Sequence, residues 1–309
     1  MVMKVSTGMF FDNATTQLGS IQGSLAKTQE QLSTGKQINK PSDQPDKASL
    51  VTRLESELAR QASFQGNLKA MNTRLQASET ALKNTSDVMY RFKELAVQAS
   101  NDTLSSADRS TIALEMSQLK DQILSLANSQ DSNGNYLFAG SRVGQAPFGQ
   151  DAKGAIVYQG DQSRMVVPVG DNRRMNLNIA GSDAFVHLVR DDGKGRKVGI
   201  GFFQALTDLV NSVQNVDRPN IQRGIGELDQ MQQGISDANA QVGTDMNVVD
   251  SQTSVLDEIT LRLKTTKSDV EDLDYTEAIT KMNKDQLALE SAQSSFAKIS
   301  KLTLFSYIN

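Results

Sequence analysis

Cysteine and tryptophan are absent from this chain of 309 residues, and histidine occurs once, at His187. The absence of cysteine excludes a disulfide scaffold, a cysteine-ligated zinc site and a cysteine nucleophile. A single histidine removes most metal sites and most catalytic triads. Aromatic residues make up 5% of the chain, so its core must be mainly aliphatic. This composition favours a protein without catalytic activity, and we expect neither a cofactor nor a metal ion.

An excess of basic charge and long apolar runs are also missing. The net charge of -4 argues against nucleic-acid binding, because nucleic-acid-binding proteins normally carry a basic face. No window approaches the roughly eighteen apolar residues of a membrane-spanning helix, and residues 1–13 do not resemble a cleaved secretory signal. We therefore expect a soluble protein that binds neither nucleic acid nor membrane and that leaves the cell, if it does, without a cleaved signal.

Proline is rare and occurs only at positions 41, 45, 147, 168 and 219. Because proline breaks helices, its absence from 46–146 and 220–309 predicts that both stretches are mainly helical. In the second stretch, apolar residues recur every seven positions, which predicts one continuous helix packed along a partner. The repeat consists of Leu228, Ile235, Val242, Val249, Leu256, Leu263 and Val270.

Apolar residues at three- and four-residue spacing predict the other helices. We expect a helix of about fifty residues from near Ala48 to near Ser100, and a third helix over 112–126 that folds back on it. A short stripe ends near Gly35, a suitable helix C-cap, and another follows the C-terminal segment, interrupted only by Asp285. The terminal stripes are the predicted assembly surface, and comprise Leu18, Ile21, Leu25 and Leu32 with Met282, Leu289, Phe296, Ile299, Leu302, Leu304, Phe305 and Ile308.

Between 131 and 201 the helical spacing disappears, and short runs at 155–159 and 165–169 are typical of strands between turns. The predicted fold is therefore mainly α with a small β-rich insert, in an elongated rod of long antiparallel helices. We predict three domains. They are a terminal coiled coil of residues 1–45 with 265–309, a long-helix bundle of 46–140 with 202–264, and a β-rich outer domain of 141–201.

The terminal pair lacks the packing that a stable structure needs. Short isolated helices are marginal in water, because most helical stability comes from tertiary packing. We therefore predict that the terminal segments are disordered in the monomer and become helical when neighbouring copies cover their apolar surface. Protection from hydrogen exchange throughout 1–40 and 275–309 of the monomer would contradict this.

Several short motifs resemble the bacterial flagellin family. The run 32–39 followed by Pro41-Ser42-Asp43 is similar to the N-terminal signature of that family. The run 134–141 is similar to the motif at the end of its third helix. The residues of this second motif are Gly134, Tyr136, Leu137, Phe138 and Gly140. Narrower similarities at 158–161, 275–278 and 295–308, and Gln44-Pro45-Asp46 after the first signature, favour the hook-filament junction branch.

The resemblance implies a structural subunit of the bacterial flagellum that joins hook to filament, secreted through the flagellar type III apparatus and located outside the cell. It implies a homo-oligomeric ring assembled through the terminal helices. The implied partners are the other hook-associated protein, flagellin, and an export chaperone that binds the C-terminal helix. The alternative within the family is a short flagellin that polymerises into the filament. Outside the family, a coiled-coil adaptor or a secreted enzyme with a pocket in residues 141–199 stays open.

The residue types of two motifs predict local structure by themselves. Glycines bracket residues 136–138, which predicts a tight turn that delivers three large side chains to the crevice between helix and sheet. Asp131, Asn133 and Asn135 alternate as in a calcium loop, but Tyr136 occupies the position of its glycine, so we predict a polar turn. The acidic group at 269–277 lies at a helix entry and is expected to complement the helix dipole.

Overall fold

We describe the chain from a computed structural model that covers the backbone of residues 2–191 and 196–308, and the side chains of residues 8, 9, 11–191 and 196–298. The helices are α1 (Val2–Thr34), α2 (Pro45–Ala99), α3 (Ser106–Ala127), α4 (Gly181–Ala184), α5 (Phe202–Gln214), α6 (Arg218–Glu271) and α7 (Tyr275–Ile308). The strands are β1 (Phe148–Gln150), β2 (Ile156–Tyr158), β3 (Val166–Pro168), β4 (Arg174–Asn176), β5 (Leu188–Asp191) and β6 (Lys197–Ile200). The predicted mainly α fold with a small β-rich insert is confirmed.

The boundaries of α2 and α3 follow from local chemistry. Helix α2 begins at Pro45. Proline has no backbone N–H, and this costs no hydrogen bond in the first turn, because the N–H groups there have no acceptor within the helix. Its C-terminal carbonyls are capped by the buried guanidinium of Arg109, which donates to the oxygens of Ala99 and Asn101. Helix α3 starts with a capping box between Ser105 and Asp108. The predicted helix over 48–100 is confirmed, and so is the third helix.

Helices α2 and α6 run antiparallel, as the apolar stripes predict. Three polar pairs mark their register in the larger part of the chain: Gln65 with Asp257, Ser86 with Gln232, and Lys93 with Asp229. The seven-residue repeat of α6 is fully buried from Leu228 to Leu256, but Leu263 and Val270 are only half-buried. Burial along this one helix therefore declines toward its C-terminal end.

The chain forms two compact units, one of residues 1–60 with 258–309 and one of residues 61–257. The smaller unit contains α1 and α7. The larger unit contains α3, α5 and the strands, so the helical block and the β-rich insert fall within one unit. The finer division into three domains remains a prediction. Among the described residues, none of the helices is both long and apolar enough to cross a bilayer.

The strands pair as separate antiparallel hairpins, β1 with β2, β3 with β4 and β5 with β6. The predicted strands at 155–159 and 165–169 are confirmed as β2 and β3, which belong to different hairpins. Glycine at 234 lets the insert approach α6, because a Cβ there would lie 2.9 Å from a methyl group of Val186. Beneath the hairpins, Phe138, Phe148, Phe185, Phe202 and Phe203 form one cluster with ring centroids 5.1 to 6.2 Å apart.

Candidate assembly interface

The terminal helices α1 and α7 pack against each other as an antiparallel pair. The rings of Phe11 and Phe296 meet edge to face with centroids 5.4 Å apart. Closer to the end of α1 and the start of α7, the Ser24 hydroxyl donates to Asp285 at 2.7 Å. The sequence shows Asp285 as an interruption of the apolar stripe, and the structure gives it a partner on the opposite helix. These contacts confirm the predicted pairing of the first helical segment with the last.

The seam of the terminal pair remains half-exposed. Its predicted residues Leu18, Ile21, Leu25, Leu32, Met282, Leu289 and Phe296 are all half-buried. By contrast, the large side chains at the centre of α2, such as Leu68, Met71 and Leu82, are at most 1% exposed. The predicted residues Ile299, Leu302, Leu304, Phe305 and Ile308 lie on the backbone of α7, but their side chains are outside the described residues.

Apolar side chains also project from the outer faces of this unit. Met9, Ile279 and Leu287 are 64%, 45% and 65% exposed. Between the two helices lies a groove of about 250 Å³, where the small side chains Ala14 and Ala292 leave the Phe296 ring accessible. Because exposed apolar surface marks contact sites, these features make the terminal pair the candidate assembly interface.

The loop between α1 and α2 is ordered by one carboxylate. Asp43 accepts hydrogen bonds from the backbone N–H groups of Asn39 and Lys40 at 3.2 and 3.0 Å. Its other oxygen pairs with the Lys27 ammonium on α1 at 2.9 Å. The hydrogen bond from Lys27, followed by that from the backbone of Lys40, lowers the pKa of Asp43. The Pro41-Ser42-Asp43 motif therefore fixes the exit of the chain from α1.

A second carboxylate begins α7. Asp274 accepts from the backbone N–H groups of Thr276 and Glu277 at 2.8 and 3.1 Å, so it caps the helix N terminus. This confirms for Asp274 the expected role at the helix dipole. Within the described residues, no group of three histidine, cysteine or acidic side chains is placed to hold a metal ion.

The motif at 134–141 forms a buried turn in the larger unit. Leu137 and Phe138 are at most 1% exposed, and Tyr136 is half-buried. The expectation that all three large side chains enter the crevice therefore stays a prediction for Tyr136. Its backbone oxygen accepts from the Arg74 guanidinium at 2.7 Å.

The predicted polar turn at 131–135 is confirmed. The Asp131 carboxylate accepts from the backbone N–H groups of Asn133 and Asn135 at 2.8 and 3.0 Å, and from Arg74 at 2.9 Å. Burial raises the pKa of Asp131, but the two backbone hydrogen bonds and the charge of Arg74 outweigh burial and lower it. The Asp131 carboxylate thus stabilises the turn in which it lies, and this is a structural role.

Two of the resembling motifs meet at Gly140. Asp161 accepts from the backbone N–H groups of Ser141 and Ser163 at 2.8 and 3.0 Å and from the Ser141 hydroxyl. These hydrogen bonds, chiefly from the hydroxyl, lower the pKa of Asp161 to about 2. Tyr158 adds a hydrogen bond from its hydroxyl to the Phe138 oxygen at 3.1 Å. The motif at 158–161 therefore holds the end of the turn at 134–141.

The hydrogen bonds to the Asp161 carboxylate predict that the stability of the fold decreases in acid. The pKa of Asp161 is about 2 in the folded chain and about 3.9 when unfolded. A lowered pKa stabilises the fold above the unfolded value, and that contribution is lost as the pH falls through the folded value. We expect Asp161→Asn to flatten the decline of stability between about pH 4 and pH 2. Urea unfolding at pH 5, 4, 3 and 2 measures the slope, and equal slopes for the two proteins would contradict the prediction.

Sequence reasoning missed an ion cluster that fastens hairpin β5–β6 to the helices. Arg190 on β5 forms two hydrogen bonds with Glu227 on α6, both at 2.8 Å, and one with Asp208 on α5 at 2.5 Å. A signal for it was present in the sequence. Glu227 falls at helical spacing among the buried positions of α6, between Gly224 and Met231, and a charge inside an apolar stripe requires a partner.

The insert contains a groove of about 410 Å³ between β2 and β6. Its lining includes four phenylalanine rings together with Tyr158, His187 and Gln204, and among the described residues that line it none is a carboxylate. This groove is one place where a secreted enzyme of the alternative class could bind a ligand.

Comparison with known proteins gives consistent matches. The bacterial flagellin N-terminal helical region matches residues 5–142, and the bacterial flagellin C-terminal helical region matches residues 225–308. The chain is 26% identical to flagellar hook-associated protein 3 of Salmonella typhimurium, over 98% of this chain and 99% of that protein. It is 25% identical to flagellin FlaB2 of Treponema pallidum, over 98% of this chain and 97% of that protein.

Solved structures share the fold. The crystal structure of Xanthomonas campestris FlgL is similar with a TM-score of 0.63 and 24% identity. The match covers 70% of this chain and 99% of the crystallised chain. At this identity, the structural likeness supports the fold alone.

Proposed function

This chain belongs to the bacterial flagellin family, and we propose that within it the chain is a structural subunit that joins the flagellar hook to the filament. It assembles as a ring through its terminal helices and has no catalytic role. The observation that carries the proposal is the half-exposed seam of α1 and α7, which contrasts with the closed core of the larger unit.

The seam favours assembly because two helices cannot cover each other's apolar stripes completely. Each half-buried leucine or phenylalanine gains roughly 25 cal/mol for every Å² of apolar surface that a neighbour removes from water. Many copies arranged side by side cover such surfaces along the whole length of the helices. The larger unit already buries its own core, so it can transmit load between neighbouring structures without repacking.

The junction role is favoured over the filament role by the full-length similarity to hook-associated protein 3. The alternative is a short flagellin that polymerises into the filament, and the full-length similarity to flagellin FlaB2 supports it. Both roles use the same terminal pair. They differ in copy number and in position along the flagellum.

The proposed partners follow from this position. They are the other hook-associated protein on the hook side, flagellin on the filament side, and an export chaperone that covers α7 before assembly. Exposed Ile279 and Leu287 give such a chaperone an apolar face to bind. We place the mature protein in the extracellular part of the flagellum, after type III export.

Deletion of the gene tests the proposal directly. Loss of a junction subunit should leave hooks intact and release flagellin into the medium, and the wild-type gene should restore filaments. Loss of a filament subunit would instead leave no flagellin of this kind to release. Hooks that carry normal filaments after deletion would refute the junction role. Electron microscopy of hooks labelled within residues 141–199 would locate the ring.

One substitution separates assembly from folding. Phe296→Ala removes the ring that meets Phe11 across the seam, and we expect it to reduce filament-bearing cells about tenfold, because residues in the centre of an interface dominate its energy. The midpoint of unfolding of the larger unit should not change. The exposed neighbour Gln293→Ala is the matched control. Filament counts by microscopy, with thermal unfolding of the purified chains, measure both effects, and equal counts for the two variants would argue against the seam.

A further inference from the structure

We propose that residues 35–37 and 271–273 form a latch that stays closed in the free subunit even while the segments of α1 and α7 beyond it are disordered. The latch sets the register in which α1 and α7 pair. The proposal rests on the proposed function for the use of the seam in assembly. The latch itself is a property of the isolated chain, and its test requires no other flagellar component.

The first part of the latch is a short antiparallel bridge between two distant segments. The Gln37 N–H donates to the Glu271 oxygen at 2.7 Å, and the Leu273 N–H donates to the Gly35 oxygen at 3.0 Å. The two bonds flank the bridge between Lys36 and Asp272. They therefore fix the end of α1 relative to the start of α7 through the main chain, independently of the seam.

The second part is a buried carboxylate with two cations. The Glu271 side chain is 9% exposed and pairs with the ammonium groups of Lys36 at 2.6 Å and Lys267 at 3.3 Å. Lys267 also binds Glu55 on α2 at 2.7 Å, and this hydrogen bond raises the pKa of Lys267. A buried carboxylate that loses its cations is strongly destabilising. Hence the charges favour the closed form of the bridge.

The third part is the absence of a side chain at position 35. Gly35 has a positive φ of 70°, and a Cβ there would lie 2.8 Å from the hydroxyl oxygen of Tyr275, the first residue of α7. Glycine is thus required both for the backbone conformation and for the close approach of Tyr275. The motif after α1 and the motif that opens α7 meet at this point.

A separate contact is needed to fix the register, because the apolar pattern of the seam repeats every seven residues. In α1, Leu18, Leu25 and Leu32 are seven residues apart, and in α7 so are Met282, Leu289 and Phe296. A slip of seven residues along one helix places apolar side chains opposite apolar side chains again, so burial alone discriminates weakly between registers. A closed latch also removes most of the loop-closure entropy of pairing two helices that lie far apart in sequence.

Hydrogen exchange on the full-length free chain tests whether the latch is closed. We expect the amides of Gln37 and Leu273 to be protected in the wild type and to exchange at least about tenfold faster in Glu271→Gln. The control is Glu30→Gln, which removes the exposed pair with Lys40 and should leave both amides unchanged. Unprotected amides at 37 and 273 in the wild type, or equal protection in Glu271→Gln, would overturn the proposal.

Cysteine cross-linking tests the register, because the chain has no cysteine of its own. One reporter combines Leu18→Cys with Leu289→Cys and detects the observed register. The other combines Leu25→Cys with Leu289→Cys and detects a slip of one heptad. We expect Glu271→Gln to raise the slipped cross-link several-fold relative to the first reporter, and an unchanged ratio would show that the latch does not set the register. Either result is independent of the deletion phenotype that tests the junction role.

Discussion

Arg190→Met is expected to lower the free energy of unfolding of the larger unit by about 3–5 kcal/mol, the range typical of a broken buried ion pair. Arg190 is 13% exposed and holds the carboxylates of Glu227 and Asp208. These hydrogen bonds, chiefly with Glu227, raise the pKa of Arg190, so the guanidinium stays charged. Methionine keeps much of the side-chain length but leaves the buried Glu227 with only Arg223, at 3.4 Å, as a cationic partner.

Two further variants serve as controls for the stability loss of Arg190→Met. Arg91→Met removes an exposed arginine that pairs with Glu94 and Glu115, and it should lower the stability far less because exposed ion pairs contribute little. Glu227→Met in the Arg190→Met background removes the buried carboxylate that has lost Arg190, and should restore part of the lost stability. Urea unfolding of the three variants measures the differences. If Arg190→Met costs no more than Arg91→Met, the cluster does not fasten the hairpin.

Gly140→Ala is the second substitution with a large expected effect, about 2–5 kcal/mol. A non-glycine residue at positive φ costs roughly 1–2 kcal/mol, and φ at position 140 is 71°. The added Cβ would also lie 2.2 Å from the backbone oxygen of Asp161, and such overpacking adds about 1–3 kcal/mol. Relief of the overlap would displace Asp161 from its bonds to Ser141.

Gly134→Ala is the matched control for this substitution. Gly134 has the same type of backbone conformation, with φ of 79°, but no atom lies within 4 Å of its added Cβ. We expect this variant to lose only the conformational part, roughly 1–2 kcal/mol. The difference between the two variants in thermal or urea unfolding isolates the contact with Asp161. Equal losses would mean that the turn at 140 moves to accept the methyl group.

The helices could be predicted from the sequence because their determinants are local. The three- and four-residue spacing of apolar positions gives α2, α6 and α7, and the proline at 45 and the glycine at 35 give two of the boundaries. Helix hydrogen bonds join residues four apart in sequence. The apolar spacing of three and four residues covers the same short distance along the chain, so it is enough to predict a helix. The strands at 156–158 and 166–168 were predicted in the same way, but their partners were not.

The polar contacts between elements could be predicted only in part. Arg74, Arg109 and Glu227 each fall at helical spacing among buried residues, and that position alone signals that each needs a buried partner. The sequence position does not predict which residue becomes the partner of each charged side chain. Arg74 reaches the turn at 131–137, and Arg109 caps α2, because the tertiary fold brings carbonyl oxygens and one carboxylate to those places.

The sequence by itself determined the helical character of the chain, the insert of strands and the apolar stripes at both ends, since each depends on the order of neighbouring residues. Only the tertiary structure decided that the terminal seam stays half-buried, that Arg190 joins Glu227 and Asp208, and that the segments around Gly35 and Glu271 form a bridge. The physical reason is that exposure and pairing depend on the approach of segments far apart in the chain, which no local pattern encodes.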